Sequence, residues 1–200
     1  MTQDEMKKRI AMQILKNPEI LDELAARIES DDIVAWDNCY FFGSFDPIHN
    51  EHISMALKAK KCGYNVILVP AYKPPHKQPT SFTTRLEMCN MAARYNNLIV
   101  SDIEWKLPEP TYTINTLRAL IPDFDTINCR TSFIAGTDTI DAIKDWYQGD
   151  ILLQKLDIIP FSRTGISSTD IRKLIKEGKS ISHLVPKYID EYIRAEKLYM

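Results

Sequence analysis

The sequence predicts an α/β fold: a Rossmann-like parallel sheet with helices on both faces. Two observations carry that expectation. From about residue 39 onward, short apolar runs alternate with helix-forming segments, as repeated βα units require. Within that alternation, Val66-Ile67-Leu68-Val69 is a continuous apolar run of β-branched character, the pattern of a strand buried on both faces. The bulk properties agree. The chain has 200 residues, enough for one domain with a sizeable core and an appendage. Hydrophobic residues make up 44% and charged ones 26%, an ordinary globular balance.

Residues 1–36 read as an appendage, a helical hairpin preceding the main domain at 37–200. Thr2 with Glu5 forms a capping box for a helix over 3–16, with Ile10 and Ile14 on one face. Asn17-Pro18 restarts a second helix, Asn as N-cap and Pro at the first helical position. Leu21, Leu24, Ala25 and Ile28 form its apolar face, to be packed on the domain or on another subunit as a homo-oligomer contact.

The main domain opens with a strand at 39–42, then a helix at 50–61 stopped by Cys62-Gly63. The strand at 66–69 precedes a helix at 84–94, a short strand at 98–100 and a helix at 113–120 capped by Thr111 or Thr113. A strand at 131–135, a helix at 137–145, a strand at Ile158-Ile159, a helix at 168–177 and a final helix at 186–197 complete the alternation. Ligands in such folds bind beyond the carboxyl ends of the strands. Every candidate motif falls just after a strand.

Composition excludes several classes. The net charge of -2 argues against a broad nucleic-acid surface, although one local cradle suffices for a nucleotide. The four cysteines, Cys39, Cys62, Cys89 and Cys129, form no C-x-x-C pair and sit in apolar contexts, so they read as free buried thiols in a reducing cytosol. No apolar run reaches membrane-spanning length and the N-terminal segment is too charged for a secretory signal, so a cytoplasmic protein is expected.

The densest chemistry is at 43–52, Gly-Ser-Phe-Asp-Pro-Ile-His-Asn-Glu-His, directly after the first strand. Gly43 lets the backbone approach a bulky anion, and the helix beginning near Asn50 offers unpaired N–H groups and a positive dipole end. His49 and His52, at i and i+3, lie on one face and can both turn toward that anion. A polyphosphate is the expected occupant. The pattern is neither a Walker loop nor a Gly-x-Gly-x-x-Gly fingerprint. It resembles the Gly-x-Phe-Asp-Pro-x-His-x-Gly-His motif of the nucleotidyltransferase superfamily, and within it the nicotinate mononucleotide adenylyltransferases.

A second motif supports the resemblance. Gly165-Ile166-Ser167-Ser168-Thr169-Asp170-Ile171-Arg172 opens a helix with three hydroxyls and an arginine on its first turn. Taken alone it is equally an ordinary cap by Ser167 or Ser168. It matches the Ile-Ser-Ser-Thr-x-Ile-Arg element that the superfamily places against the ATP phosphates. Lys73-Pro74-Pro75-His76-Lys77 is an extended loop with three potentially positive side chains, suited to a substrate phosphate or simply a basic surface loop. Arg85 with Met88 resembles the family's Arg-x-x-Met helix and reads as structural. Thr111-Tyr112-Thr113 resembles its Ser/Thr-Tyr-Thr stretch, where Thr113 would contact the mononucleotide. Gly136-Thr137-Asp138 matches its Gly-x-Asp facing the nucleotide ribose, although Asp138 also suits a helix cap. Trp146-Tyr147 matches its Trp-Tyr, where the indole stacks on a pyridine ring; otherwise such a pair is core. His183, outside every motif, reads as a surface or packing residue.

The resemblance implies adenylyl transfer from MgATP to nicotinate mononucleotide, giving the deamido dinucleotide and pyrophosphate, with Mg2+ arriving on ATP and no residue assigned as a metal ligand. It implies His49, His52 and Arg172 as catalytic residues, and Gly43, Ser44, Phe45, Gly136, Asp138, Ser167, Ser168 and Thr169 around ATP. Lys73, His76, Lys77, Thr113 and Trp146 would hold the substrate. Two departures keep rivals open. Glu51 stands where the family has glycine, and the short join from Arg163-Thr164 into Gly165 resembles the cytidylyltransferases. The rivals are a sister enzyme using nicotinamide mononucleotide or CTP, and a non-catalytic nucleotide-binding regulatory protein.

Overall fold

The computed structural model describes residues 37–75, 77–126, 129–162 and 165–200. The expected hairpin at 1–36 lies outside them, as do His76, Arg163 and Thr164. Five strands form one sheet: β1 (Asp37–Gly43), β2 (Tyr64–Pro70), β3 (Ile99–Val100), β4 (Thr131–Gly136) and β5 (Leu156–Phe161). Their order is β3-β2-β1-β4-β5 and every pairing is parallel. The chain moves outward from β1 to β3, then returns to the other side of β1 as β4. This reversal leaves a crevice between the carboxyl ends of β1 and β4, where Gly43 and Gly136 end their strands.

Among the described residues, seven α-helices connect and cover the strands: α1 (Asn50–Lys61), α2 (Phe82–Asn96), α3 (Thr113–Leu120), α4 (Thr137–Ala142), α5 (Gly149–Lys155), α6 (Ser168–Lys176) and α7 (Lys187–Ala195). The two-residue period of the strands divides the core. Cys39, Phe41, Val66, Leu68 and Ile134 face the layer of α1, α2, α6 and α7. Tyr40, Ile67, Val69, Phe133 and Ala135 face α3 and α5, where Ile114, Leu117 and Leu152 are fully buried. Each such side chain contributes about 2 kcal/mol of transfer free energy.

The element boundaries differ from expectation where tertiary contacts intervene. Helix α2 starts at Phe82 because Ser81 is its N-cap, accepting the Thr84 N–H at 3.2 Å. Helix α3 is capped neither by Thr111 nor by Thr113. Its N-cap is Tyr112, without a side-chain cap bond, and the Thr111 hydroxyl instead accepts the Lys73 N–H. The helix expected over 137–145 breaks into α4 and a 3-10 turn, Ile143–Asp145, closed by Trp146 N–H donating to the Ile143 carbonyl. Helix α5 was not anticipated. It turns directly out of that break, and Gly149 is required there because a Cβ would stand 2.1 Å from the Ile143 carbonyl oxygen.

Candidate active site

The turn after β1 is folded around Phe45. Its backbone is left-handed (φ 47°), and its ring lies back against Gly43, where a Cβ would come within 2.9 Å of ring carbons. Glycine at 43 is therefore a packing requirement as well as a route for close approach. The Phe45 ring also stands edge-on to Phe41 at 5.3 Å and to His52 at 5.1 Å. From this support the chain reaches His49, the N-cap of α1 in extended backbone, whose carbonyl accepts the Ile53 N–H. The His49 and His52 rings stack at 3.6 Å between centroids, as the i, i+3 spacing required. His49 is buried and His52 half-buried. Glu51 lies buried in the first turn of α1, where a carboxylate suits the positive end of the helix.

Helix α6 is bonded to the same turn. Arg172 Nη1 donates to the Asp46 carbonyl at 2.6 Å and Nη2 to the Thr169 hydroxyl at 3.2 Å. The Ser168 hydroxyl donates to the Pro47 carbonyl at 3.0 Å. Ser167 is the N-cap, in a reciprocal capping box with Asp170, whose carboxyl is held below its usual range chiefly by the Ser167 hydroxyl. The Ser167 and Ser168 hydroxyls thus tie the start of α6 to Asp170 and to the turn after β1. An anion at this helix start would also meet backbone N–H groups, the helix dipole and the Arg172 guanidinium. On α1, the Asn50 N–H and side chain donate to the carbonyls of Leu184 and His183 at 3.0 and 3.1 Å. His183 is exposed, the surface position among the two expected for it.

The β2 side is organised by two buried ionic side chains. Arg85 is 1% exposed and spends its guanidinium on four carbonyls. Nε donates to Thr80 at 2.8 Å, Nη1 to Ser44 at 2.9 Å and Ala71 at 2.6 Å, and Nη2 to Tyr72 at 3.3 Å. Burial lowers its pKa, opposed first by the nearby Asp46 charge. The structural role read for Arg85 is that of a clamp joining the loops after β1 and β2. Glu104, 3% exposed, accepts the Tyr72 N–H at 2.8 Å and the Thr116 hydroxyl at 2.9 Å. Sequence reading missed it. Its one signal was a carboxylate between the apolar Ile103 and Trp105.

These clamps frame a cleft of about 600 Å³, lined by residues including Tyr72, Lys73, Pro74, Lys77, Phe82, Glu109 and Pro110. Lys73 and Lys77 are both exposed there, but the Lys73 ammonium pairs with Glu109 at 2.7 Å. That pairing raises the Lys73 pKa and offsets the positive charge expected of this loop. On the β4 side, Trp146 stands edge-on to Phe133 at 6.5 Å, and Tyr147 packs on Tyr112 at 4.5 Å. The Tyr147–Tyr112 contact joins the segment after the Ile143–Asp145 turn to the N-cap of α3, whose first residue is Thr113. His49, His52, Arg172, Gly43, Ser44, Phe45 and Ser167–Thr169 are therefore one assembly, and Lys73 and Lys77 line a second, while Thr113 opens α3 and Trp146 follows the Ile143–Asp145 turn.

Comparison with known proteins agrees with this architecture. Residues 40–174 match the cytidylyltransferase-like family. A protein of Thermus thermophilus named probable nicotinate-nucleotide adenylyltransferase is 34% identical over 185 residues, covering 80% of this chain and 97% of its own length. One of the same name from Caldicellulosiruptor saccharolyticus is 33% identical over 193 residues, covering 80% and 96%. The Plasmodium falciparum nicotinic acid mononucleotide adenylyltransferase solved with NaAD shares the fold, with a TM-score of 0.65, 21% identity and coverage of 82% of this chain and 98% of that one. The chain belongs to the cytidylyltransferase-like family, and within it to the nicotinate-nucleotide adenylyltransferases.

Proposed function

We propose that the protein transfers the adenylyl group of MgATP to nicotinate mononucleotide, forming the deamido dinucleotide and pyrophosphate in NAD synthesis. The observation that supports this most is the junction of α1 and α6. Two helix N-termini, a stacked histidine pair and Arg172 meet on one bonded turn at the sheet's switch point. Such a cradle suits a chain of phosphates and little else.

In the reaction, a phosphate oxygen of the mononucleotide forms a bond to the ATP α-phosphorus as the bond from that phosphorus to the bridging oxygen of the departing pyrophosphate breaks. The nucleophile is already anionic near neutral pH, so no general base is needed. Alignment and charge neutralisation supply the catalysis. His49 and His52 act on the ATP phosphates, and Arg172 with the Ser167–Thr169 amides on the β- and γ-phosphates. Gly43, Ser44, Phe45, Gly136 and Asp138 border the nucleotide. Lys77, His76 and Lys73 receive the substrate phosphate, and Thr113 and Trp146 the pyridine nucleoside. Among the described residues no three His, Cys, Asp or Glu side chains gather as a metal site. In this reading Mg2+ would arrive on the ATP phosphates and would supply charge neutralisation there. The protein works in the cytoplasm in this reading; no described helix is long and apolar enough to cross a membrane. In this reading residues 37–200 are the catalytic domain and 1–36 an extension for contact with that domain or with another subunit.

The test is pyrophosphate release from MgATP with nicotinate mononucleotide, nicotinamide mononucleotide or neither, with the product identified by mass and a parallel arm using CTP. Dinucleotide formed fastest from nicotinate mononucleotide and ATP is the expected result. Preference for the amide or for CTP moves the chain to a sister activity. ATP binding without turnover makes it a regulatory binding protein.

A further inference from the structure

Asp46 joins four parts of the molecule. Its side chain is buried, in the turn between β1 and α1. Its Oδ2 accepts the Thr80 N–H from the loop before α2 at 3.1 Å, and lies 3.8 Å from Arg172 Nη1 of α6. Its carbonyl takes the 2.6 Å bond from the same Arg172 nitrogen. Its Oδ1 accepts the hydroxyl of Tyr199 at 2.7 Å, from a turn 153 residues further along the chain. That turn is itself anchored. The Leu198 N–H donates to the Ile193 carbonyl at 2.9 Å, and Leu198 and Tyr199 pack on the core layer shared by α1, α2, α6 and α7. Lys197 and Tyr199 both adopt left-handed backbone, φ 50° and 64°, which aims the Tyr199 ring back toward the β1 turn.

We propose that the Tyr199 hydroxyl is a positioning residue for the phosphate cradle, orienting Asp46 so that Asp46 can orient Arg172. The proposal rests on the reading of α1 and α6 as a triphosphate site. A carboxylate that receives a hydrogen bond on each oxygen has one orientation, so the position of the Arg172 guanidinium beside it is defined before an anion arrives. Burial first, and then the Asp46 carboxylate, push the Tyr199 phenol far above its ordinary pKa, so it remains an O–H donor at any working pH. Without that bond the carboxylate is free to turn toward Arg172 and pair with it directly, drawing the guanidinium inward from the phosphates. The ring of Tyr199 serves packing, whereas its oxygen serves the site, and Tyr199→Phe separates the two.

Binding of a non-cleavable methylene analogue of ATP, with magnesium, is measured by calorimetry on the wild type, Tyr199→Phe, Arg172→Ala and the double variant. Dinucleotide kinetics and the folded fraction by circular dichroism are followed in parallel. Tyr199→Phe is expected to weaken analogue binding about tenfold at an unchanged folded fraction, raise KM for ATP, and leave KM for the mononucleotide within about twofold. Adding Tyr199→Phe to Arg172→Ala should cost nothing further, because the effect passes through Arg172. Equal binding by Tyr199→Phe, or independent losses in the double variant, overturns the proposal, as does a wild type that does not bind the analogue. Should Tyr199→Phe fail to fold, Asp46→Asn reads the same link: its amide turns a donor toward Arg172, and unchanged analogue binding there also overturns the proposal. A wild type that binds the analogue but makes no dinucleotide removes the adenylyl-transfer reading alone.

Discussion

On the β1 side of the cleft, the proposed anion cradle is made from one ten-residue stretch and one helix start, tied together by bonds between the two: Arg172 to Asp46 and Ser168 to Pro47. On the β2 side, the loop from Tyr72 to Ser81 is held from beneath by Arg85 and Glu104, and its own charged residues stand in solvent or in an exposed ion pair. Under the proposed function, the contrast follows from what each side would recognise. A phosphate chain is met by backbone N–H groups and helix dipoles, which contiguous residues can supply. A particular mononucleotide is met by side chains from separate loops, and those loops need buried clamps to hold their shape.

Four substitutions and one titration sharpen or break that contrast. His52→Ala should lower turnover about a hundred- to a thousandfold while the protein stays folded. Near-normal turnover in a steady-state assay would remove His52 from the cradle. Arg85→Met should cost about 4 kcal/mol of stability, because four carbonyls lose their donor in one step. Urea unfolding measures this, and a loss under about 1 kcal/mol would mean the loops hold without the clamp. Glu104→Gln keeps the shape but replaces one acceptor oxygen by a donor, and should cost about 2 kcal/mol. It should raise KM for the mononucleotide more than KM for ATP; the reverse pattern would assign Glu104 to the cradle.

The titration probes the layer beneath the cradle. Burial pushes the Cys62 thiol up from 9.0 to about 11, and the Cys39 and Cys89 thiols higher still. A thiol whose folded pKa is raised favours the folded state fully below pH 9. It loses that contribution as pH rises through the folded value. Stability should therefore fall between pH 9 and about 11, by an amount of order 2 kcal/mol for Cys62. A Cys62→Ser variant with the same alkaline decline would assign the loss elsewhere. Ser168→Ala, the mildest change, removes one bond from α6 to the turn and should cost about 1 kcal/mol, with a small rise in KM for ATP.

By itself, the sequence determined the parallel α/β architecture, because buried strands and amphipathic helices declare themselves in apolar period over short windows. It also determined the stacked His49 and His52 and the start of α6, since i, i+3 spacing and capping chemistry are local. Tertiary structure alone decided how the hydroxyls, charges and clamps are used. Ser168 turns to Pro47, Lys73 pairs with Glu109, and Thr111 leaves its helix to hold the Lys73 N–H. Arg85, Glu104, Asp46 and Tyr199 act through partners distant along the chain, and α5 depends on Gly149 fitting against the Ile143 carbonyl. Such bonds exist only once the strands have brought the loops together, so no spacing in the chain announces them.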